Sequence, residues 1–153
     1  CPGLNDVIRH IVITLEIYGV KNIVGIPFGY RGFCDKELTE MPQSRINMLF
    51  IHLSGGTLSG VSGVAPTGSE IVNNVDERGV TMLFELDGNV THAGANVEHD
   101  ECQKRRMKVL PTLVPITIYH DILLMDKTCG FDTGDKSQHV GRNSGYFDAD
   151  TAY

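Results

Sequence analysis

Apolar residues recur at helical spacing near the start of the chain: Leu4, Val7, Ile8, Ile11, Leu15 and Tyr18. Gly19 stops that run in the position where helices take a left-handed residue. Asn22 to Ile26 is short and β-branched and is closed by Pro27, which predicts a strand. Phe28 to Phe33, punctuated by Gly29 and Gly32, reads as a loop. Ile46 to Leu53 is a continuous apolar run that predicts a buried strand, ended by the turn Ser54-Gly55-Gly56. Thr67 to Arg78 predicts a helix, because Thr67 and Glu70 have capping-box spacing and Gly79 follows. Val80 to Leu86 predicts a strand and Asp87-Gly88-Asn89 its turn. Thr91 to Met107 predicts a helix whose last turn carries the cations that suit its dipole. Val109 to Ile118 predicts a further strand.

Strands alternating with helices specify an α/β domain with a mostly parallel sheet flanked by helices. Ligands of such sheets sit beyond the carboxyl ends of the strands. Three polar, glycine-rich junctions are expected there: 54–60, 87–91 and 117–121. After about Asp126 the apolar periodicity lapses. The organisation expected is therefore an α/β lobe over 1–126 and an irregular tail over 127–153. No internal repeat interrupts the pattern.

Composition narrows the function classes. The chain has 153 residues, of which 41% are apolar and 21% charged, enough for one domain with a core. Its formal net charge is −6, and the only basic cluster is the short KRRMK at 104–108, which argues against nucleic acid or an anionic membrane as the main partner. No apolar run approaches the roughly 18 residues of a membrane span. The chain begins at Cys1 without a signal-peptide pattern, and reads as an internal fragment or a processed product. Cysteines 1, 34, 102 and 129 are far apart and form no CxxC, which favours free thiols in a reducing cytoplasm. Asn89-Val90-Thr91 is a glycosylation sequon with meaning only in a secreted chain.

Several clusters invite a chemical reading. LDGNVTHAGA (86–95) is a strand end, a glycine turn and a helix start, where free backbone N–H groups favour an anion such as phosphate. A plain connecting turn has the same appearance. The chain has no GxxxxGK[ST] and no GxSxG, which removes a Walker loop and a serine-hydrolase elbow. His92, Glu98, His99 and Cys102 fall on one predicted helix, but zinc prefers a tighter pair, so ordinary surface or half-buried roles are expected. Asp132-Thr133-Gly134 matches the aspartic-protease triplet, yet those enzymes are all-β and this chain alternates.

In order along the chain, CPGLNDVIR, GIPFGYRGF (25–33), HLSGGTLSGVS (52–62), LDGNVTHAGANVEHDECQKRRMKV (86–109), VPITIYHDI (114–122), MDKTCGFDT (125–133) and GRNSGY (141–146) resemble segments of the plant-type ATP-dependent 6-phosphofructokinases. The resemblance implies phosphoryl transfer from ATP to fructose 6-phosphate with Mg²⁺, a glycolytic step in the cytoplasm. It implies an allosteric homo-oligomer. By position, Gly3, Gly56, Gly88, Asn89 and Thr91 would lie on the ATP side, with Asn89 where many members place an Asp near Mg²⁺. Thr117 would touch the transferring phosphoryl group and Asp121 would be the second acid of the catalytic loop. Gly141 and Arg142 would belong to the sugar-phosphate side.

Departures from the family pattern accompany the matches. Tyr119 stands where the family carries its base Asp, and a positioned base typically contributes about 10²–10⁴ in rate. Ile116 replaces a Lys, and Gly63 an Arg of the nucleotide loop. Asp87 and Val90 replace glycines of the GGNGT turn. A helix and a strand expected between the FDT and GRNSG segments are missing. Two functions follow: an ATP-dependent phosphofructokinase, or a non-catalytic α/β domain that keeps a nucleotide- or partner-binding shell.

Overall fold

The computed structural model describes residues 3–35, 40–60, 67–87, 89–117 and 123–136, with backbone alone at 87 and 89–94. In chain order the elements are α1 (Leu4–Ile17), β1 (Val24–Gly25), α2 (Tyr30–Cys34), β2 (Met41–Pro42), a 3₁₀ turn (Ile51–Leu53), α3 (Gly68–Glu77), β3 (Met82–Asp87), α4 (Asn89–Lys104) and β4 (Leu110–Pro115). Strands β3 and β4 pair in parallel, with Met82 opposite Leu110 and Asp87 opposite Pro115. Joined through α4, they form the βαβ unit that the alternating pattern requires. The small β1–β2 ladder is antiparallel, with Val24 opposite Pro42 and Gly25 opposite Met41.

Three helices end in the same way. After α1, Gly19 N–H donates to Glu16 O at 2.9 Å and Val20 N–H to Leu15 O at 3.0 Å. After α3, Gly79 N–H donates to Asp76 O at 3.0 Å and Val80 N–H to Val75 O at 3.1 Å. These are Schellman caps, and both glycines have the left-handed φ the motif needs, 87° and 63°. After α4 the same pair of bonds runs from Arg106 to Gln103 O and from Met107 to Cys102 O, both 3.0 Å. Here Arg106 takes φ 55° without being a glycine. The predicted start of α3 also forms: Glu70 Oε2 accepts from Thr67 N–H at 3.1 Å and from the Thr67 hydroxyl at 2.9 Å.

The apolar run at 46–53 is not a strand. It forms turns and the 3₁₀ segment, with Met48 N–H bonded to Ser44 O at 3.0 Å and Leu53 N–H to Phe50 O at 3.0 Å. Met48 and Ile51, three residues apart, are buried, whereas Ile46, Phe50 and Leu53 are exposed. That spacing belongs to a helical turn, and a short unbroken apolar run cannot by itself tell helix from strand. Arg45 fixes the entry: its N–H donates to Glu16 Oε1 at 2.9 Å. The strand expected over 22–26 contracts to Val24 and Gly25, beside which Gln43 N–H still donates to Ile23 O at 2.8 Å. The expected loop at 28–33 instead contains α2. Helix α4 begins two residues earlier than predicted and ends three earlier. Residues 131–136, expected to be irregular, are helical.

Two apolar clusters hold these elements. Val12, Met48 and Ile51 pack with Ile8 and Ile23 beneath α1. Phe33, Ile71 and Val75 pack with Ile26, Tyr30, Val80, Leu83, Met107 and Val109 between α2, α3 and the parallel ladder. Arg78 joins α3 to α2. It pairs with Glu40 at 2.8 Å, donates to Gly32 O at 3.1 Å and Phe33 O at 3.2 Å, and lies over the Phe33 ring. Gly68 lets α3 approach α4 closely, since a Cβ there would meet Val97 Cγ1 at 2.8 Å.

Candidate active site

Parallel strands run out on a common edge, so β3 and β4 present their carboxyl ends side by side. β3 ends there at Asp87 and α4 begins at Asn89; β4 leads into Ile116 and Thr117. Asn89 and Thr91 lie in the first turn of α4, whose opening N–H groups have no intrahelical acceptor. Thr117 is buried at 6% exposure, and Ile116 at 0% is a core side chain. The apolar residue at 116 therefore completes the packing under the strand end.

Two more of the expected loops converge through hydrogen bonds. Gly3 is the N-cap of α1 at φ 87°. Two residues later, the buried Asn5 donates its Nδ2–H to Ser54 O at 3.0 Å, tying the start of α1 to the Ser54-Gly55-Gly56 turn. Gly56 has φ 76° and open space around its α-carbon. Phe28 N–H donates to Ser59 O at 2.6 Å, and Gly60 lies against the Phe28 ring, where a Cβ would come within 2.7 Å. The segments at 3–5, 25–33 and 54–60 are thus stitched together. The junction 54–60 follows a 3₁₀ turn rather than the strand that the sequence suggested.

Gly3 also meets the later segment 125–133. A Cβ on Gly3 would stand 2.9 Å from Gly130 N, and Gly130 itself has φ 81°. Within that segment Thr128 is buried and accepts, through its carbonyl, the Phe131 N–H at 3.1 Å. Asp132 of the Asp-Thr-Gly triplet is exposed and paired with Lys127 at 2.8 Å, which lowers the pKa of its carboxyl. It is a surface ion-pair partner here.

Of the candidate site residues, Gly88, Tyr119, Asp121, Gly141 and Arg142 lie outside the described residues, and the side chains of Asn89 and Thr91 are undescribed. On α4, Glu98 and Cys102 are buried, whereas His99 is exposed and bonded to Gln103 at 2.9 Å. They do not share a ligand-facing side. Among the described residues no three His, Cys, Asp or Glu side chains converge. Cys34, Cys102 and Cys129 are free thiols, and burial pushes the pKa of Cys34 and Cys102 up.

Sequence reasoning passed over two features. Asn5 gave no motif. Glu85 was visible as the single charge inside the strand VTMLFEL, and it is 7% exposed. It accepts the Tyr30 hydroxyl at Oε2 over 2.7 Å, while Glu98, 2% exposed, lies within its electrostatic reach. No helix among the described residues is long and apolar enough to cross a membrane.

The family model described as phosphofructokinase matches residues 1–137. An Arabidopsis thaliana protein named ATP-dependent 6-phosphofructokinase 5, chloroplastic, is 65% identical over the whole chain, which spans 28% of that protein's length. A crystal structure of a pyrophosphate-dependent phosphofructokinase from Marinobacter aquaeolei superposes with a TM-score of 0.75 at 14% identity, covering 85% of this chain and 34% of that one. A Saccharomyces cerevisiae phosphofructokinase superposes with a TM-score of 0.71 at 20% identity, covering 94% of this chain and 22% of that one. The match to the family model over most of its length, with the same α/β architecture in solved members, shows that this chain belongs to the phosphofructokinase family.

Proposed function

We propose that the protein transfers a phosphoryl group from ATP to the 1-hydroxyl of fructose 6-phosphate, the committed kinase step of glycolysis. The observation that carries this reading is the common edge where β3 and β4 end, with α4 starting after β3 and Thr117 following β4. Phosphoryl transfer depends mainly on positioning and on neutralising the moving charge. The N–H groups opening α4 supply donors for a phosphate tail, with Gly88, Asn89 and Thr91 as its contacts. Gly3 and Gly56 border the same nucleotide, and their left-handed backbones let it approach. Thr117 serves the transferring group, Asp121 and Tyr119 follow it, and Gly141 with Arg142 engage the sugar phosphate.

The donor is ATP, as in the name of the Arabidopsis relative. Mg²⁺ usually takes one or two protein oxygens plus substrate phosphates. Asn89, an amide-oxygen donor in the first turn of α4, suits that role without a protein cage. When bound, the ion neutralises phosphate oxygens. Residues 1–126 form the ATP-side lobe, and the active protein is a homo-oligomer. The 65% identical relative is named chloroplastic, so a plastid replaces the cytoplasm as the proposed location.

A coupled assay for fructose 1,6-bisphosphate on the full-length protein tests the activity. Turnover with Mg-ATP and none with pyrophosphate supports it. Turnover with pyrophosphate alone changes the donor. Tight ATP binding without turnover would show the non-catalytic domain instead. Imaging of a tagged protein decides the compartment.

A further inference from the structure

Tyr30, Glu85 and Glu98 meet in the interior where α2, β3 and α4 pack. The Tyr30 hydroxyl donates to Glu85 Oε2 at 2.7 Å, leaving Glu85 Oε1 and both Glu98 oxygens without hydrogen-bond partners. The two carboxyl groups are 7% and 2% exposed, so water does not compensate them. Two buried carboxylates within electrostatic reach of one another cannot both stay ionised at low cost; one proton held between them removes the repulsion and supplies the missing donor. Glu85 lies near the end of β3, and Glu98 lies on α4, which begins at Asn89. The pair therefore spans β3 and α4.

We propose that Tyr30, Glu85 and Glu98 form a one-proton latch that seats α4 against β3, so that the placement of the start of α4 beside the end of β3 depends on whether that proton is held. The second half of this inference rests on the nucleotide reading above. Glu98 and Glu85 are positioning residues acting through the helix. Burial first, then the neighbouring Glu85, raises the pKa of Glu98 to about 8, while the nearby Tyr30 hydroxyl opposes that rise. The surroundings hold few other actors. Cys102, farther along α4, feels Glu98 and is itself shifted upward. β4 is Leu-Pro-Thr-Leu-Val-Pro and brings no titratable side chain. Of α3, Gly68 touches Val97, while Glu70, Asp76 and Glu77 are exposed. Among the described residues no cation closes the pair.

The test compares the full-length protein with its Glu98→Gln variant, by thermal unfolding without nucleotide and by calorimetry with Mg-ATP, over about pH 6 to 9. The wild type is expected to lose melting temperature towards the alkaline end and to weaken in ATP affinity by about fivefold. The Glu98→Gln variant keeps both flatter, and ionisation of ATP itself cancels in the comparison. Tyr30→Phe removes the bond that favours the ionised form, and shifts the wild-type slope to higher pH, an effect that loss of packing alone would not produce. Glu85→Gln provides the same comparison if Glu98→Gln does not fold. Parallel pH profiles in wild type and variant overturn the latch. A wild type that binds no ATP at any pH overturns the nucleotide reading and the second half of the proposal, while the unfolding slopes still decide the latch.

Discussion

Gly3 and Gly130 stand back to back: a side chain on Gly3 would press its Cβ within 2.9 Å of Gly130 N, and both residues have left-handed φ, 87° and 81°. The contact brings the start of α1 against a segment more than a hundred residues later, and places both beside the Asn5–Ser54 link. Gly3→Ala must move backbone and adopt a strained φ together. The expected destabilisation is about 1–3 kcal/mol. Urea unfolding measures it. An unchanged midpoint would mean that the two segments do not touch.

Asn5→Ala removes the donor to Ser54 O and frees the 54–56 turn from the start of α1. Loss of one buried bond costs about 1–2 kcal/mol. If Gly56 borders the nucleotide, KM for ATP rises more than kcat falls. Steady-state kinetics on the full-length protein separate the two, and an unaltered KM would detach that turn from the ATP site.

Arg106 ends α4 at φ 55°, where the caps of α1 and α3 have Gly19 and Gly79. Arg106→Gly relieves a Cβ penalty that exceeds the extra entropy of glycine in the unfolded chain. The expected change is a stabilisation of about 0.5–1 kcal/mol. Denaturation midpoints of the two proteins check its sign.

Glu85 and Glu98 also set a pH dependence of stability. The folded pKa of Glu98, about 8, lies above its ordinary value of 4.5, so the folded protein holds a proton that the unfolded chain releases. This contribution is complete below about pH 4.5, declines as pH rises, and is gone above about pH 8. Replacing both residues by Leu removes two desolvated acids. It is expected to raise stability at neutral pH by about 1–4 kcal/mol. A lower melting temperature for the double variant would show that the acids support the fold.

Tyr119→Asp tests the chemistry directly. Restoring a carboxylate where the family resemblance expects the base should raise kcat by about 10²–10⁴. An equal or lower kcat would show that residue 119 is not the base position.

Much of the architecture was legible because local rules acted alone. Gly19 and Gly79 announced helix ends, and Thr67 with Glu70 announced a start, since caps are satisfied by neighbours in sequence. The run 46–53 was not legible. Its hydrophobicity fits a strand or a helical turn, and the choice fell to Val12, Ile8 and Ile23, which receive only Met48 and Ile51. The glycine segments near 3, 28, 56 and 130 were visible as motifs, but their meeting through Asn5, Phe28 and Gly130 depends on contacts between distant segments.

The sequence by itself determined the alternation of helices and strands, the caps, and the family, because periodicity, capping chemistry and ordered motifs are properties of neighbouring residues. Only the tertiary structure decided that 46–53 turns, that Ile116 belongs to the core, and that Tyr30, Glu85 and Glu98 share one interior. Those outcomes depend on which surfaces meet and exclude water, and burial sets the state of an acid only after the chain has closed around it.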